Sequence, residues 1–599
     1  MTIAVRYLDG NRLRHCWQAA AHALLADVPT LNRINVFPVP DGDTGTNMGL
    51  TVRGVLEALA SADELDLPSM AGRVSEAGLD HARGNSGVLL AQFLTGFAGD
   101  ARQQRLDAQG LSQAFSAGAR SARLALSQPQ EGTLVTVLDA IAQHLADAVA
   151  GGEHDLAVLL EGALACARQA LARTTEQLPA LKAAGVVDAG ARGFVVMLEG
   201  IEQRLVEGHW AQVTEAVEAS GEQELAEVAD EAHRYCTECR ILGESLDVEA
   251  VRQAVEAMDA SSIVVAGHAG KIRVHAHINT PQGLFQRCAE FGRVDGEKAD
   301  DMLNQWQTVR LPGSQVAVVT DSAADLPDSL LQGWPVQVVP VHVVLDGVDH
   351  LDKVGLSPQE LFRRLRTDPV QAQTSQPAPG DFLRCYRWLS DHFPAVLSLH
   401  VSSRLSGTWQ AAVDAAKRVE AGQIEVFDTT TVAAAQGLLV RRAAELASAG
   451  CSLAVMLKDL SQLRQQTRTW ALVDDIAYGV RGGRVSPRAG TLAKLLRARP
   501  ILSEVDGQVK PRGALFGQRR LVERLARYVA RRLDRSQSWR LLISHADAPE
   551  QAELLARELR QRLPSIPSCD IGYTGSAIGV HAGPGTLIVS AQPVCEVPA

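Results

Sequence analysis

The sequence predicts a multidomain chain, with an all-α helical domain first, a small α/β domain next and a two-lobed α/β domain last. Three observations carry this reading. Apolar residues recur at three-to-four spacing from residue 10 to about 210, the mark of helices with one buried face. Strand-like runs first appear near residue 235. From residue 315 strands and helices alternate, which predicts a largely parallel sheet with flanking helices. A chain of 599 residues has room for three or four domains. The boundaries fall at 1–212, 213–312 and 313–599, the last dividing into lobes at about 313–467 and 468–599.

In the helical domain, residues 132–150 are representative: Leu134, Leu138, Ile141 and Leu145 line one face. In the middle domain YCTECRIL and IRVHAHIN read as strands, with a helix at 247–258 before the strand SSIVVAGH. The run LPGS at 311–314 is a linker. Beyond it QVAVVTD, PVQVVPVHVVL, AVLSLHVSS and QIEVFDT read as strands, and 407–421 and 430–450 as helices. The second lobe has strands ALVDDI and RLLISHA and helices at 516–533 and 549–562.

Composition narrows the function classes. Hydrophobic residues make up 46% and charged residues 21%, which fits a globular protein rather than a disordered one. A net charge of −11, without a Lys/Arg block, argues against a nucleic-acid partner. Nine scattered cysteines are no disulfide framework, so a reducing cytoplasm is expected. No run approaches the ~18 apolar residues that span a bilayer, and the N-terminus lacks an apolar signal core. No stable membrane anchor is expected.

The sharpest motif is NVFPVPDGDTGTNM, residues 35–48. Asp41 and Asp43 lie two apart across a glycine, so a tight loop aims both carboxylates at one point. Mg²⁺ commonly takes one or two carboxylates together with nucleotide phosphates. Gly42 and Gly45 permit close backbone approach. Thr44, Thr46 and Asn47 offer donors at a helix start, a natural place for phosphate. An Asx-rich capping turn explains a bare D-G-D but not the whole string. Two more glycine-punctuated loops follow, HARGNSG with Asn85, Ser86 and Gly87, and GVVDAGARG with Asp188 and Gly190. Three such loops on a helical domain suggest a nucleotide site at one end of a bundle.

His275 and His277 alternate on a strand and so share a face, and Cys236 lies on another strand. One Cys and two His make a three-ligand zinc site with an open fourth position. Two alternatives stand beside it: histidines that merely cover a sheet, and a closed structural zinc that adds Cys239. A strand places Cys239 opposite Cys236, which counts against the latter. His268 has no assigned place.

The C-terminal half carries VTDSAADLP, TSQP with Thr374, SSRLSGT with Ser403 and Ser406, RGGRVS with Arg484, and GVHAGPG with His581. Hydroxyls and glycines at strand ends of an open α/β sheet mark a ligand crevice, although each hydroxyl taken singly reads as an N-cap.

Over residues 5–210 the chain resembles the catalytic subunit of fatty acid kinase, whose first domain is related to DhaL (DAK-type), the ATP-binding domain of dihydroxyacetone kinases. The resemblance implies a helical barrel that binds ATP and two Mg²⁺ ions through Asp41 and Asp43. Asn35 stands nearest to the place of a third aspartate in that family. Ser86 and Thr133 would face the phosphates and the Asp188 loop the base. YCTE followed by VHxH resembles the middle domain of the same kinase, where the cysteine and the two histidines bind metal, which implies Zn²⁺ on Cys236, His275 and His277 and leaves a direct catalytic role for Cys236 open. Residues 315–595 resemble the DegV family of fatty-acid-binding proteins. Thr374 and a serine of SSRLSGT, Ser406 ahead of Ser403, match its carboxylate-binding positions, with His581 and Arg484 as further head-group candidates. Together these imply a fusion of kinase and acyl carrier that makes acyl phosphate for phospholipid synthesis. A homodimer and a downstream acyltransferase partner are also expected. A polyol kinase of the dihydroxyacetone type and a non-enzymatic lipid-binding regulator are the alternatives.

Overall fold

The computed structural model describes residues 5–38, 42–60, 66–207, 232–310, 313–327, 330, 334, 336–367, 370–419, 422–483, 498–517, 519–563 and 565–596. The chain divides into two compact units, 1–303 and 304–599. Asp41 and Arg484 lie outside the described residues.

In the first unit, nine helices among the described residues run from Gly10–Arg33 to Ala189–Glu207. Their starts are written in the sequence as aspartates. Asp9, Asp66, Asp107 and Asp155 each accept a backbone N–H two or three residues on. Such a cap stabilises a helix by about 1 kcal/mol. The helix Leu134–Ala150 buries Leu134, Leu138, Ile141 and Leu145 as the spacing predicts. The core includes edge-to-face aromatics, with Phe93 centred 4.9 Å from Phe115 and 5.2 Å from Phe194.

The rest of this unit is an antiparallel sheet in the order Ala260–His268, Lys271–Ile278, Tyr235–Leu242, Arg293–Asp301. Strand alternation gives the sheet two unlike faces. Cys239, Val265, Val274 and Ala276 pack under the helices Val248–Glu256 and Pro281–Ala289. On the other face Val264 and Ala266 join the core of the helical region. The strand Arg293–Asp301 has no counterpart in the sequence reading. Its residues, RVDGEKADD, carry six charges and lack the apolar alternation by which strands are recognised.

In the second unit a parallel sheet has the order Gln423–Asp428, Ala395–His400, Val316–Asp321, Val336–Val339. The run 335–345, expected as one strand, is two. Pro340, which has no N–H to donate, separates Val336–Val339 from His342–Leu345, and the second piece belongs to a three-stranded sheet. The second lobe holds a six-stranded mixed sheet, not a parallel one. The sequence reading lacks its hairpin Ala498–Val505/Gln508–Phe516, which turns at Asp506-Gly507 with both φ angles positive.

A buried polar string braces the first sheet. The Tyr386 hydroxyl donates to Ser398 Oγ, which donates to His400 Nε2, and His400 Nδ1 donates to Asp321. The same Asp321 carboxylate accepts the Val401 N–H at 3.0 Å. It therefore ties the ends of two strands together just where their loops begin. No helix among the described residues is long and apolar enough to cross a membrane.

Candidate functional site

In the first unit three helix N-termini converge. Asp43 precedes the helix Thr44–Ala60, and its carbonyl accepts the Asn47 N–H. Gly84, at φ +58, starts the helix Gly84–Asp100 against the Asn47 side chain, where any Cβ would collide with the amide. Gly190, one residue into the helix Ala189–Glu207, sits so close to Ser86 that a Cβ would come 2.9 Å from its hydroxyl. Converging helix starts point N–H groups and partial positive charge at one volume. A cleft there is lined by Asn35, Asp43, Thr44, Asn47, Asn85 and Ser86. The Asn85 Oδ1 is buried without a hydrogen-bond partner, which fits a wall that awaits a ligand.

Hydrogen bonds and close packing hold these loops and their neighbours in place. Thr44 Oγ1 donates to the buried Asn35. Thr46 is held by Asn32 through its N–H and hydroxyl. Gly45 packs against the Val28 carbonyl, with no room for a side chain. Gly87 packs against Thr51. The Thr133 hydroxyl donates to the Gln130 carbonyl. Asp188 is buried and accepts the Ala191 N–H at 2.8 Å. Burial pushes its carboxyl up to about 6 in spite of that bond.

The same cleft takes in Cys236, His275 and His277. Their ligand atoms lie within 4.8 Å of one another. The register explains how: Cys236 stands opposite His277 on the neighbouring strand, and all three point from the sheet face that meets the helical region. The His275 Nε2 is buried with no hydrogen-bond partner. Burial pushes the Cys236 thiol well above its usual range, and Lys298 only partly offsets this. A soft donor set of this kind suits zinc, which would hold the sulfur as thiolate. Cys239 points the other way and packs in the core with Cys288. His268 bonds to Glu76 on the surface.

A fourth group in this corner is Glu238, fully buried, two residues from Cys236 and opposite His275 in register. Burial alone would raise its carboxyl, but Lys298, the His275 hydrogen bond and Arg273 hold it well below its usual range.

The second unit contains a cavity of about 160 Å³, most of its wall apolar, with Val401, Leu405, Val473, Leu502, Ile578 and Ile588 among the lining residues. Its polar patch holds Thr374, Ser406 and His581. Thr374 Oγ1 lies 2.9 Å from His581 Nε2, and Ser406 Oγ lies 2.8 Å from Thr408 Oγ1. Glycines let the loops meet. Gly407 abuts the Gln376 side chain, and Gly482 abuts the His581 imidazole. The helix Ser576–Ala582 that carries His581 is pinned at its start by Asp325 and Asp352, which accept the Gly575 and Ser576 N–H groups. Burial raises both carboxyls, that of Asp325 to about 6. Glu504 also lines the cavity, and burial pushes its carboxyl up to about 7.

Comparison with known proteins agrees with this division. The family described as "Uncharacterised protein, DegV family" matches residues 315–594. A DegV domain-containing protein of Deinococcus radiodurans is 33% identical over 281 residues, 47% of this chain and 99% of that protein. The chain belongs to the DegV family. Ahead of the DegV part, "DAK2 domain" matches residues 38–203, and the middle domain of the FakA-like fatty acid kinase family matches 232–309. One chain thus joins all three, the fusion that the motifs imply. Protein YloV of Bacillus subtilis is 29% identical over 321 residues, 51% of this chain and 58% of that protein. A solved structure titled for fatty acid binding of a DegV family protein from Thermus thermophilus is 32% identical and covers 47% of this chain and all of its own, at a TM-score of 0.43.

Within the DegV part the structure separates the two serines. Ser406 faces the cavity, whereas the Ser403 hydroxyl donates to Asp428 at 2.6 Å and lines no part of it. The turn at 402–406 points the two side chains apart, and spacing alone does not show which way each faces. Sequence reasoning also passed over Gln376, Thr408 and Glu504 here, and Glu238, Arg273 and Lys298 in the first unit. For Glu238 a signal existed: period-two alternation puts it on the Cys236 face, as it puts Arg273 on the face of the two histidines.

Proposed function

We propose that the chain is a single-polypeptide fatty acid kinase that transfers the γ-phosphate of ATP to the carboxylate of a fatty acid held by its DegV domain. The observation that supports this best is the coexistence in one chain of an apolar cavity with a small hydroxyl–imidazole patch and an anion cleft built from helix starts. Burying an acyl chain of about 16 carbons at ~0.8 kcal/mol per CH₂ contributes on the order of 10 kcal/mol before ordering costs. Thr374, Ser406 and His581 are assigned to the carboxylate. Asp43, together with Asp41, is assigned to two Mg²⁺ ions, which when bound neutralise charge on the phosphates. Cys236, His275 and His277 are assigned to Zn²⁺.

The reaction needs no general base, because a fatty acid carboxylate is already ionised at neutral pH. Its oxygen attacks the γ-phosphorus, the bond from that phosphorus to the β-bridging oxygen breaks, and ADP leaves with the electron pair. The product is a mixed anhydride that water hydrolyses, so excluding water from the head group matters as well as positioning it. An acyltransferase would consume it.

Lipid extracted from the purified chain should be fatty acid by mass spectrometry, and the chain alone with oleate and Mg·ATP should release ADP and form acyl phosphate. Oleate-independent ADP release, or a strict need for a separate carrier protein, would remove this reading. Mixing Asp43→Asn and Thr374→Ala chains then asks whether a homodimer transfers between its two copies. Recovered activity places donor and acceptor on different chains, and lack of recovery places them on one.

A further inference from the structure

The strongest unassigned feature is the buried carboxylate of Glu238, where the sheet of the first unit meets the helical region. Its two oxygens serve five partners from three segments. Oε1 accepts the Gly84 N–H at 2.7 Å and lies 3.4 Å from His275 Nδ1. Oε2 accepts from Arg273 Nη2 at 3.0 Å. Lys298 Nζ and Arg83 Nη1 stand at 3.6 and 3.7 Å. Glu238 and Arg273 are 0% and 2% exposed, so these contacts lie away from bulk solvent.

A carboxylate so deep is costly unless every lone pair is used. Compensating charge alone would need only Arg273 and Lys298. The bonds to Gly84 and His275 do something else. Gly84 opens the helix whose next residues, Asn85 and Ser86, line the anion cleft. His275 belongs to the Cys/His triad in the same cleft. His275 Nδ1 lies 3.4 Å from Glu238 and 4.0 Å from Cys236 Sγ; when the carboxylate takes its hydrogen, Nε2, which is buried without a partner, becomes the lone-pair nitrogen.

The geometry points to Glu238 as a positioning residue shared by two ligands: it orients His275 toward a zinc-type cation and the Gly84 helix start toward nucleotide phosphate, and so links the two binding events. The inference rests on the kinase reading, since it takes the cleft to be the nucleotide site. A cation drawing on His275 strengthens its Nδ1–H bond to Glu238, and the same oxygen holds the Gly84 N–H. Occupancy of either site therefore shifts the other, and thermodynamics requires the effect to be reciprocal.

The test is a linkage cycle on the full chain. Binding of magnesium adenylyl imidodiphosphate is measured calorimetrically on zinc-loaded and zinc-stripped protein, wild type and Glu238→Gln. In the wild type the two Kd values should differ by about fivefold or more. In the variant the ratio should fall toward one, and zinc affinity by competition with a chelator should drop about 10–100-fold. Should Glu238→Gln leave Arg273 uncompensated and misfold, the double variant Glu238→Gln/Arg273→Met serves in its place. The wild-type protein also allows the reciprocal measurement, zinc affinity with and without the nucleotide analogue. A ratio near one in the wild type, or an unchanged ratio in the folded variant, overturns the shared role while leaving the kinase reading standing. No binding of the analogue by zinc-loaded wild type overturns both.

Discussion

The anion cleft and the acyl cavity solve recognition with opposite materials. The cleft is small and polar, and its walls are helix starts and one face of a sheet. Much of what it offers an anion is backbone N–H, which any sequence supplies once the helices are placed. The cavity is larger and apolar, and its walls are side chains from strand ends and loops. Where binding rests on charge, a few groups must stand in fixed places. Where it rests on burying a chain, many side chains share the task and no one of them is indispensable, apart from the head-group patch.

Breaking the cleft should therefore have the largest effect. Asp43→Asn is expected to cut ATP-dependent acyl phosphate formation by about 10²–10³-fold or more, with co-purified fatty acid unchanged. Asp41→Asn should behave alike. Activity within a factor of two of wild type in both variants would refute the assignment. Next, elemental analysis should find about one zinc per chain, lost in His277→Ala and retained in Cys239→Ser, whose side chain lies in the core beyond the sheet. Metal loss in Cys239→Ser would instead support the closed four-ligand site.

The cavity should yield more gently. His581→Ala removes one polar partner of the head group, and a loss of fatty acid affinity of roughly tenfold is expected, with nucleotide binding unaltered. A loss as complete as a lipid-free protein would show the patch, not the chain, to dominate binding. The smallest effect concerns Glu504. Its folded-state value, about 7, lies above the unfolded one near 4.5. The stability it contributes is therefore fully present below pH 4.5 and is lost as pH rises through 7, by roughly 3 kcal/mol. Glu504→Gln should narrow its gap to wild type over that window. Parallel melting curves for the two proteins from pH 5 to 8 would refute the shift.

The same contrast explains what the sequence disclosed. Asp43, Asn85, Ser86, Cys236, His275 and His277 were all legible, because glycine-flanked polar strings and an H-x-H alternation have few other uses; the structure gathers them in one cleft. Glu238 was not singled out, because a glutamate on a strand reads as solvent-facing until something is known to cover it. The strand Arg293–Asp301 was missed for the same reason: it is charged, yet its Lys298 is buried against Glu238. In the DegV half the turns decided what patterning did not. Pro340 splits one apolar run between two sheets, and the loop after His400 turns Ser403 toward Asp428 and Ser406 toward the cavity.

The string from Tyr386 through Ser398 and His400 to Asp321 bears on how a fatty acid gets in. Admitting a long tail past the loops at the cavity rim requires part of the wall to move aside. Opening is local unfolding, and it proceeds where few buried bonds must break. The Val401 N–H is held by Asp321 beneath the loop that carries Leu405 and Ser406. In hydrogen exchange the amides of Leu399 to Val401 should thus outlast those of 403–407 by orders of magnitude. A loop that moves on such a fixed frame would return Ser406 to the same position each time.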